Sequence, residues 1–198
     1  MKIFIAVAVS VIFLILLLVF YYIHIRFFLV DVVFYSAILD GVLATFTTGI
    51  IIFLHKYFSV FSIFEKLQMI IIFLFAGYIF AISIPTVIDR SLSFYILEKL
   101  HQRGGAINLS SFDDIIKNEY MVEHRLVDVR ITEQENSGTI NIKDGCVRLT
   151  NRGEKIAKFS LFFRKNFLPK KRLIMGKYTD ELTDPFRSSK KEFDYVCN

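Results

Sequence analysis

The chain has 198 residues, of which 54% are apolar and 22% are charged, and a formal net charge of +5. Two cysteines exclude a small disulfide-rich scaffold. Residues 1–88 contain only seven ionised side chains, whereas residues 89–198 contain 20 Lys and Arg against 16 Asp and Glu. We therefore expect a membrane domain over residues 1–88, followed by about 110 residues, enough for one small soluble domain and a tail.

Three apolar segments predict transmembrane helices over about residues 3–25, 32–54 and 67–86. A helix of about 20 apolar residues crosses the hydrocarbon core of a bilayer. The first segment is longer than a signal-peptide core and does not end in small residues, so we expect it to be retained. Pro85 should stop or kink the third helix, because proline has no backbone N–H.

The second segment carries small residues at four-residue spacing, namely Ala37, Gly41, Thr45 and Gly49. Residues so spaced share one face of a helix, and small side chains there let two membrane helices approach closely. We predict that this face packs within the helix bundle or in a homo-oligomer.

Asp40 is the one acidic residue inside the three predicted spans. A lone carboxylate in hydrocarbon is unfavourable by a few kcal/mol, so it must be protonated, paired or placed in a polar cavity. One interpretation is a proton- or ion-linked site, or a polar contact with a partner subunit. The other is a position near the interface, with a hydrogen bond to Ser36 or to a neighbouring helix.

The connection between the second and third spans, residues 55–66, has phenylalanines at every third position, Phe58, Phe61 and Phe64. Such a pattern is typical of a short helix in the membrane interface, or of an aromatic loop. Three spans place the two termini on opposite sides of the membrane. The side of the C-terminal half has four basic residues near the membrane and the other side has three, which slightly favours a cytoplasmic C-terminal half.

Cys146 and Cys197 lie far apart in the sequence, and we expect two free thiols, which suit a reducing compartment. We expect an integral protein of a bacterial cytoplasmic membrane, and the charge and the cysteines favour a C-terminal domain in the cytoplasm.

The soluble half alternates helix, turn and strand signals. A first helix over residues 91–103 ends at two glycines, a second is capped by Ser110 or Ser111, and a third runs from about Val122 to Glu133. Asp144-Gly145 between two alternating segments is a strong hairpin signal. A last helix follows over about residues 153–167.

This order resembles the winged helix-turn-helix superfamily. The segment EHRLVDVRITEQENSGTI resembles its third helix leading into the first wing strand, and VRLTNRGEKIAKF resembles its second wing strand and the next helix. The resemblance covers about residues 91–167. For the soluble half it implies a small winged-helix (α+β) domain at 89–168. Together with the three apolar segments, the sequence therefore predicts an α-helical membrane protein in which three transmembrane helices precede this cytoplasmic domain, with a basic, polar tail at 169–198.

The resemblance also implies that the third helix could read DNA. The candidate contacts, to DNA or to a protein, are Arg125, Arg130, Lys143 and Arg148. That helix carries more acidic than basic residues, which is a poor match for the phosphate backbone. We therefore favour a protein partner over nucleic acid.

A basic cluster near the C-terminus is interleaved with phenylalanines and comprises Arg164, Lys165, Lys170, Lys171 and Arg172. It indicates binding to anionic lipid headgroups at the cytoplasmic surface. Alternatively, the phenylalanines complete the domain core and the cations are solvated. We favour a mixture, with Phe159 in the core. The polar tail after residue 172 should be extended or fold on a partner.

No histidine–cysteine spacing suits zinc, and the sequence has no phosphate-binding glycine loop or nucleophile–base motif. We therefore expect no catalysis, metal or cofactor. The sequence favours a non-catalytic membrane accessory or regulatory subunit that docks a protein partner, for example in a membrane enzyme or envelope glycan machinery. The alternatives are a membrane-tethered winged-helix transcription regulator and an oligomeric channel or transporter component built around Asp40.

Overall fold

A computed structural model of the protein describes residues 2–183. Residues 184–198, which belong to the predicted tail, lie outside the described residues. The chain forms two compact units, the first ending at Ile116 and the second beginning at Lys117.

Three helices of the first unit are long and apolar enough to cross a membrane, as predicted. They are α1 (Lys2–Phe27), α2 (Val33–Leu54) and α3 (Ile63–Ser83). Helix α3 begins earlier than predicted because Ser62 and Glu65 form a capping box at its start. Glu65 therefore stabilises the first turn of α3. From the sequence, this residue was assigned to the connection between the second and third spans.

The core of this bundle follows a four-residue spacing. On α1 the buried side chains are Ile5, Val9, Phe13 and Leu17, and they pack with residues of α2 and α3. Phe13 stacks on Phe73 of α3 with ring centroids 4.6 Å apart. The remaining faces expose apolar side chains, as expected for helices surrounded by lipid.

Helices α1 and α3 run in the same direction, and α2, which connects them in the sequence, runs in the opposite direction. Lys2 Nζ lies 3.0 Å from a Glu65 carboxylate oxygen at one end of the pair. Towards the other end, Tyr21 meets Phe80 edge to face at 5.4 Å. Both contacts join positions at similar heights, which fixes the register of α1 against α3.

A short 3₁₀ helix, Lys56–Val60, connects α2 to α3. Phe58 and Phe61 are buried against the bundle, whereas Phe64 is 71% exposed. The three phenylalanines therefore do not form one interfacial face. The sequence pattern was misleading because Phe64 already belongs to α3.

Helix α3 breaks at Ile84, one residue before the predicted stop signal Pro85, and continues as α4 (Pro85–Arg90). Ser91 then caps α5 (Leu92–Gln102) by accepting a hydrogen bond from Phe94 N at 3.3 Å. The next helical segment is irregular, with a 3₁₀ turn (Leu109–Ser111), α6 (Phe112–Asp114), a π-helical stretch (Ile115–Tyr120) and α7 (Met121–Glu123).

The second unit contains α8 (Leu126–Asn136), a hairpin of β1 (Ile140–Lys143) and β2 (Cys146–Leu149), α9 (Asn151–Phe167), and a hairpin of β3 (Arg172–Ile174) and β4 (Lys177–Thr179). Helix α8 starts later than predicted because Arg125 adopts a left-handed conformation, with φ of 44°. The predicted Asp144-Gly145 turn is present, with both residues at positive φ. The β3–β4 hairpin corrects the expectation of an extended chain after residue 172.

Thr150 joins the first hairpin to α9. Its hydroxyl accepts from Gly153 N at 3.1 Å, which caps the helix, and donates to the Gly138 carbonyl at 2.8 Å. A Cβ atom at Gly153 would overlap the Thr139 carbonyl oxygen. The two small sheets and the order of elements are established, and the winged-helix identity stays a prediction.

Cys146 is buried and disulfide-bonded, so the prediction of two free thiols is wrong. The other cysteine of the chain, Cys197, lies outside the described residues.

Candidate functional site

The most polar contact inside the helix bundle joins α1 to α2. Nδ1 of His24 donates to Oδ1 of Asp40 at 2.8 Å, and the Asp40 side chain is only 2% exposed. Of the interpretations left open by the sequence, the paired carboxylate is the one observed, and its partner belongs to a neighbouring helix. Sequence reasoning missed His24, because it considered histidines only as possible zinc ligands.

The pattern of α1 contained a signal for His24. The buried stripe that runs to Leu17 continues at four-residue spacing to Tyr21, which is half-buried, and His24 lies one turn further along. Residues three and four positions apart share a helix face. A polar residue at the end of an inward-facing stripe should therefore have been matched with the one acidic residue of the neighbouring span.

The small residues of α2 hold its other side against α3. Ala37, Gly41, Thr45 and Gly49 are all buried. A Cβ atom added at Gly77 of α3 would lie 2.9 Å from the Gly41 Cα, so the two backbones are in contact. Gly77 was not identified from the sequence, although it repeats with Phe73 and Ala81 at the same four-residue spacing.

The contact at Gly41 helps to aim Asp40. Consecutive residues of a helix point about 100° apart around its axis. With Gly41 against α3, the preceding residue turns towards α1 and meets His24 there. The Thr45 hydroxyl is satisfied within α2, donating to the Gly41 carbonyl at 2.8 Å. The packing face and the polar pair are thus neighbouring parts of one arrangement.

A cavity of about 370 Å³ adjoins the His24–Asp40 pair. Apart from those two side chains its lining is apolar and comprises Phe20, Ile23, Phe28, Leu39 and Leu43. Among the described residues, Oδ2 of Asp40 has no hydrogen-bond partner. This end of the bundle therefore combines a buried, unsatisfied carboxylate oxygen with a cavity that the same residue lines.

The predicted contact residues of the second unit divide into two pairs. Arg125 and Arg130 are engaged by carboxylates of their own helix, Asp128 at 2.8 Å and Glu133 at 2.7 Å. Lys143 and Arg148 form the second pair. Both are exposed and lie on one face of the first hairpin, where Arg148 is opposite Asn141. The four cations therefore do not form one uniformly available basic surface.

The opposite face of that hairpin is apolar and consists of Ile140, Ile142, Val147 and Leu149. The last three are 43%, 47% and 58% exposed. This exposed patch was not predicted, although the alternating residues of the two strands contained the signal.

The basic cluster lies at the end of α9 and beyond it. Lys165, Lys170, Lys171 and Arg172 are exposed, and Arg164 is half-buried. Phe159, Phe163 and Phe167 form a row along α9, with ring centroids 6.1 and 5.3 Å apart. Phe159 is 65% exposed, which corrects its assignment to the core, because α9 is held near its first turn and its later turns are exposed.

Within residues 2–183, no three His, Cys, Asp or Glu side chains are grouped so as to hold a metal ion. Comparisons of the chain with models of protein families, with curated proteins and with solved structures find no match.

Proposed function

We propose that the protein is a non-catalytic membrane accessory or regulatory subunit whose second unit docks a protein partner. Helices α1–α3 supply the membrane anchor. The observation that carries the docking role is the exposed apolar face of the β1–β2 hairpin. Exposed contiguous apolar surface on a unit outside the bilayer is typical of a protein interaction site.

Charge favours a protein over DNA as the partner. Docking on a duplex depends on cations that are free to contact phosphates. Arg125 and Arg130 instead form ion pairs with Asp128 and Glu133, so part of their charge is already compensated. In this proposal, α8, the first hairpin and α9 act as a winged-helix-like module whose wing contacts the partner.

The proposal includes a contact with anionic lipid headgroups through the basic cluster. The row of exposed phenylalanines on α9 gives that cluster an apolar edge, as in helices that lie on a membrane surface. The Asp40 carboxylate is paired within its own chain, so the arrangement supports an anchor more than an oligomeric channel or transporter.

The charge count, four basic residues against three, supports placing the second unit on the cytoplasmic side. The Cys146 disulfide is the opposing observation, because disulfides persist mainly in oxidising compartments. A membrane-impermeant maleimide applied to intact cells, before and after reduction, tests the proposal. Labelling of Cys146 only after the cells have been permeabilised supports the cytoplasmic side. A Cys146 thiol that becomes labelled in intact cells only after reduction overturns it.

The docking role is tested with the full-length tagged chain, extracted from its own host in mild detergent. Val147→Glu places a charge on the apolar face of the hairpin, and Asn141→Glu places the same charge on the opposite face. We expect a stoichiometric protein to co-purify with the wild type and with Asn141→Glu, and to be lost with Val147→Glu.

Circular dichroism of both variants checks that they fold equally. Equal retention of the partner by the two variants would overturn docking through this face. Co-purifying duplex DNA, released with a steep dependence on salt, would replace the proposal with the membrane-tethered regulator.

A further inference from the structure

The Asp40 carboxylate lacks a partner on one side. His24 satisfies Oδ1, whereas Oδ2 is buried and unpaired among the described residues. A buried acceptor without a donor is unfavourable, and the hydrocarbon region of a bilayer supplies little water to correct this. A molecule that resides in the membrane and carries a hydrogen-bond donor would supply the missing partner of Oδ2.

No residue of α3 lines the adjoining cavity. Its lining residues belong to α1 and α2, except for Phe28, which directly follows α1. Ile23, Phe28, Leu39 and Leu43 on its rim are 41–65% exposed, so the opening faces the surroundings of the bundle. Its volume of about 370 Å³ falls within the range of small-molecule sites, about 300–1,000 Å³, which are mostly apolar with a few placed polar groups.

We infer that this cavity binds a membrane-soluble amphiphile, a hydrocarbon chain that ends in a hydrogen-bond donor and above all in a primary amine. The chain packs against Phe20, Leu39 and Leu43, and the amine donates to Asp40 Oδ2. His24 is a positioning residue, since its hydrogen bond to Oδ1 leaves Oδ2 for the ligand. This inference goes beyond the docking role and does not depend on it.

Head-group chemistry is what distinguishes this site from general lipid contact. An amine forms a charge-assisted hydrogen bond to a carboxylate, a hydroxyl forms a weaker one, and a methyl ether has no proton to donate. The expected order of occupancy is therefore amine, alcohol, ether.

A second groove of the bundle is an internal control. It lies between α2 and α3, has a volume of about 340 Å³ and has no ionisable side chain, its lining being Thr45, Phe46, Gly49, Ile50, Phe53, Leu54 and Ile70. The Thr45 hydroxyl already donates to the Gly41 carbonyl. This groove should accept a hydrocarbon chain without regard to its head group.

The test uses the purified full-length chain in nanodiscs and three photoreactive dodecyl probes, each with a diazirine beside an amine, an alcohol or a methyl ether. Mass spectrometry maps the labelled residues. At the α1–α2 cavity we expect the amine to label about tenfold more than the ether, the ratio for one charge-assisted hydrogen bond. At the second groove the three probes should label equally.

Two variants and one control complete the test. Asp40→Asn should abolish the preference for the amine at the cavity. Leu43→Trp should fill the cavity and remove labelling there, while Ile50→Trp does the same only at the second groove. Leu43 and Ile50 are equally exposed, 43% each, so the two substitutions are matched. Equal labelling of the wild-type cavity by the three probes, or a preference that survives Asp40→Asn, would overturn the inference. The wild-type comparison decides the matter even if a variant does not fold.

Discussion

Both units expose large apolar side chains, and for different reasons. Phe75 on α3 is 64% exposed and Phe167 on α9 is 65% exposed. Around α3 the surrounding lipid is as apolar as the side chain, so exposure there carries no penalty. A phenylalanine so exposed to water has nothing to cover it. The same exposed fraction therefore has two meanings. In the bundle the side chain needs no further contact, whereas in the second unit it indicates a surface that a lipid or a protein could cover.

The units also differ in what holds their elements together. In the bundle, stripes at four-residue spacing bring whole helices into contact, and glycines let two backbones touch. In the second unit, hydrogen bonds of single residues such as Thr150 join neighbouring elements. The bundle should consequently depend on shape, and the second unit on a few polar groups and on whatever covers its apolar faces.

The largest effect is expected from Gly77→Leu, which would force α2 and α3 apart at Gly41. A backbone cannot move aside as a flexible side chain does, so we expect a loss of about 3 kcal/mol in the free energy of unfolding. Denaturation in mixed micelles measures it. The control Phe75→Leu changes a lipid-facing side chain and should alter stability by less than about 0.5 kcal/mol. Equal losses in the two variants would contradict the close contact of the two glycines.

His24→Ala should have the next largest effect, because it leaves both Asp40 oxygens without a partner. Removing one member of a buried pair is unfavourable by about 1–3 kcal/mol. The double variant His24→Leu/Asp40→Leu should recover part of that loss, since two apolar groups need no hydrogen bond. A double-mutant cycle of His24→Leu, Asp40→Leu and the double variant, in the same micelles, measures the coupling. Additive losses would show that the two side chains do not interact.

Thr150→Ala tests the second unit. It removes the cap of α9 and the link to the Gly138 carbonyl, and we expect a loss of about 1 kcal/mol. Hydrogen exchange of the α9 amides is the direct measurement, with protection decreasing in the first turn. The neighbouring exposed substitution Arg152→Ala is the control and should leave that protection unchanged.

The smallest effect concerns what covers α9. The chain has no tryptophan, so Phe75→Trp and Phe167→Trp each introduce a single reporter. Brominated lipids should quench the reporter at position 75 with any head group, and the reporter at position 167 only when the lipids are anionic. Adding Lys171→Gln should weaken the second signal modestly, by about 1 kcal/mol of surface attraction. A reporter at position 167 that no lipid quenches would assign that face to a protein partner or to water.

Features set by local sequence were predictable. The three apolar spans, the turn at Asp144-Gly145 and the small residues around Gly41 all follow from composition and spacing along one segment. Pairings between segments were not predictable. His24 with Asp40 and Gly41 with Gly77 depend on how the helices are placed in space. The start of α8 was missed for a different reason, since Arg125 adopts a backbone conformation that usually belongs to glycine.

The junctions after α3 have a mechanical consequence. Only Ile84 separates α3 from α4, and only Ser91 separates α4 from α5. At the first break Ile84 bonds to both helices, because its N donates to the Phe80 carbonyl and its carbonyl accepts from Ile88 N. At the second break the Ser91 carbonyl accepts from Tyr95 N of α5. Helices joined by single residues have few freely rotating backbone bonds between them, so α3, α4 and α5 should move together. A shift of α3 along its axis is therefore transmitted to α5 as displacement and is not absorbed by a flexible tether.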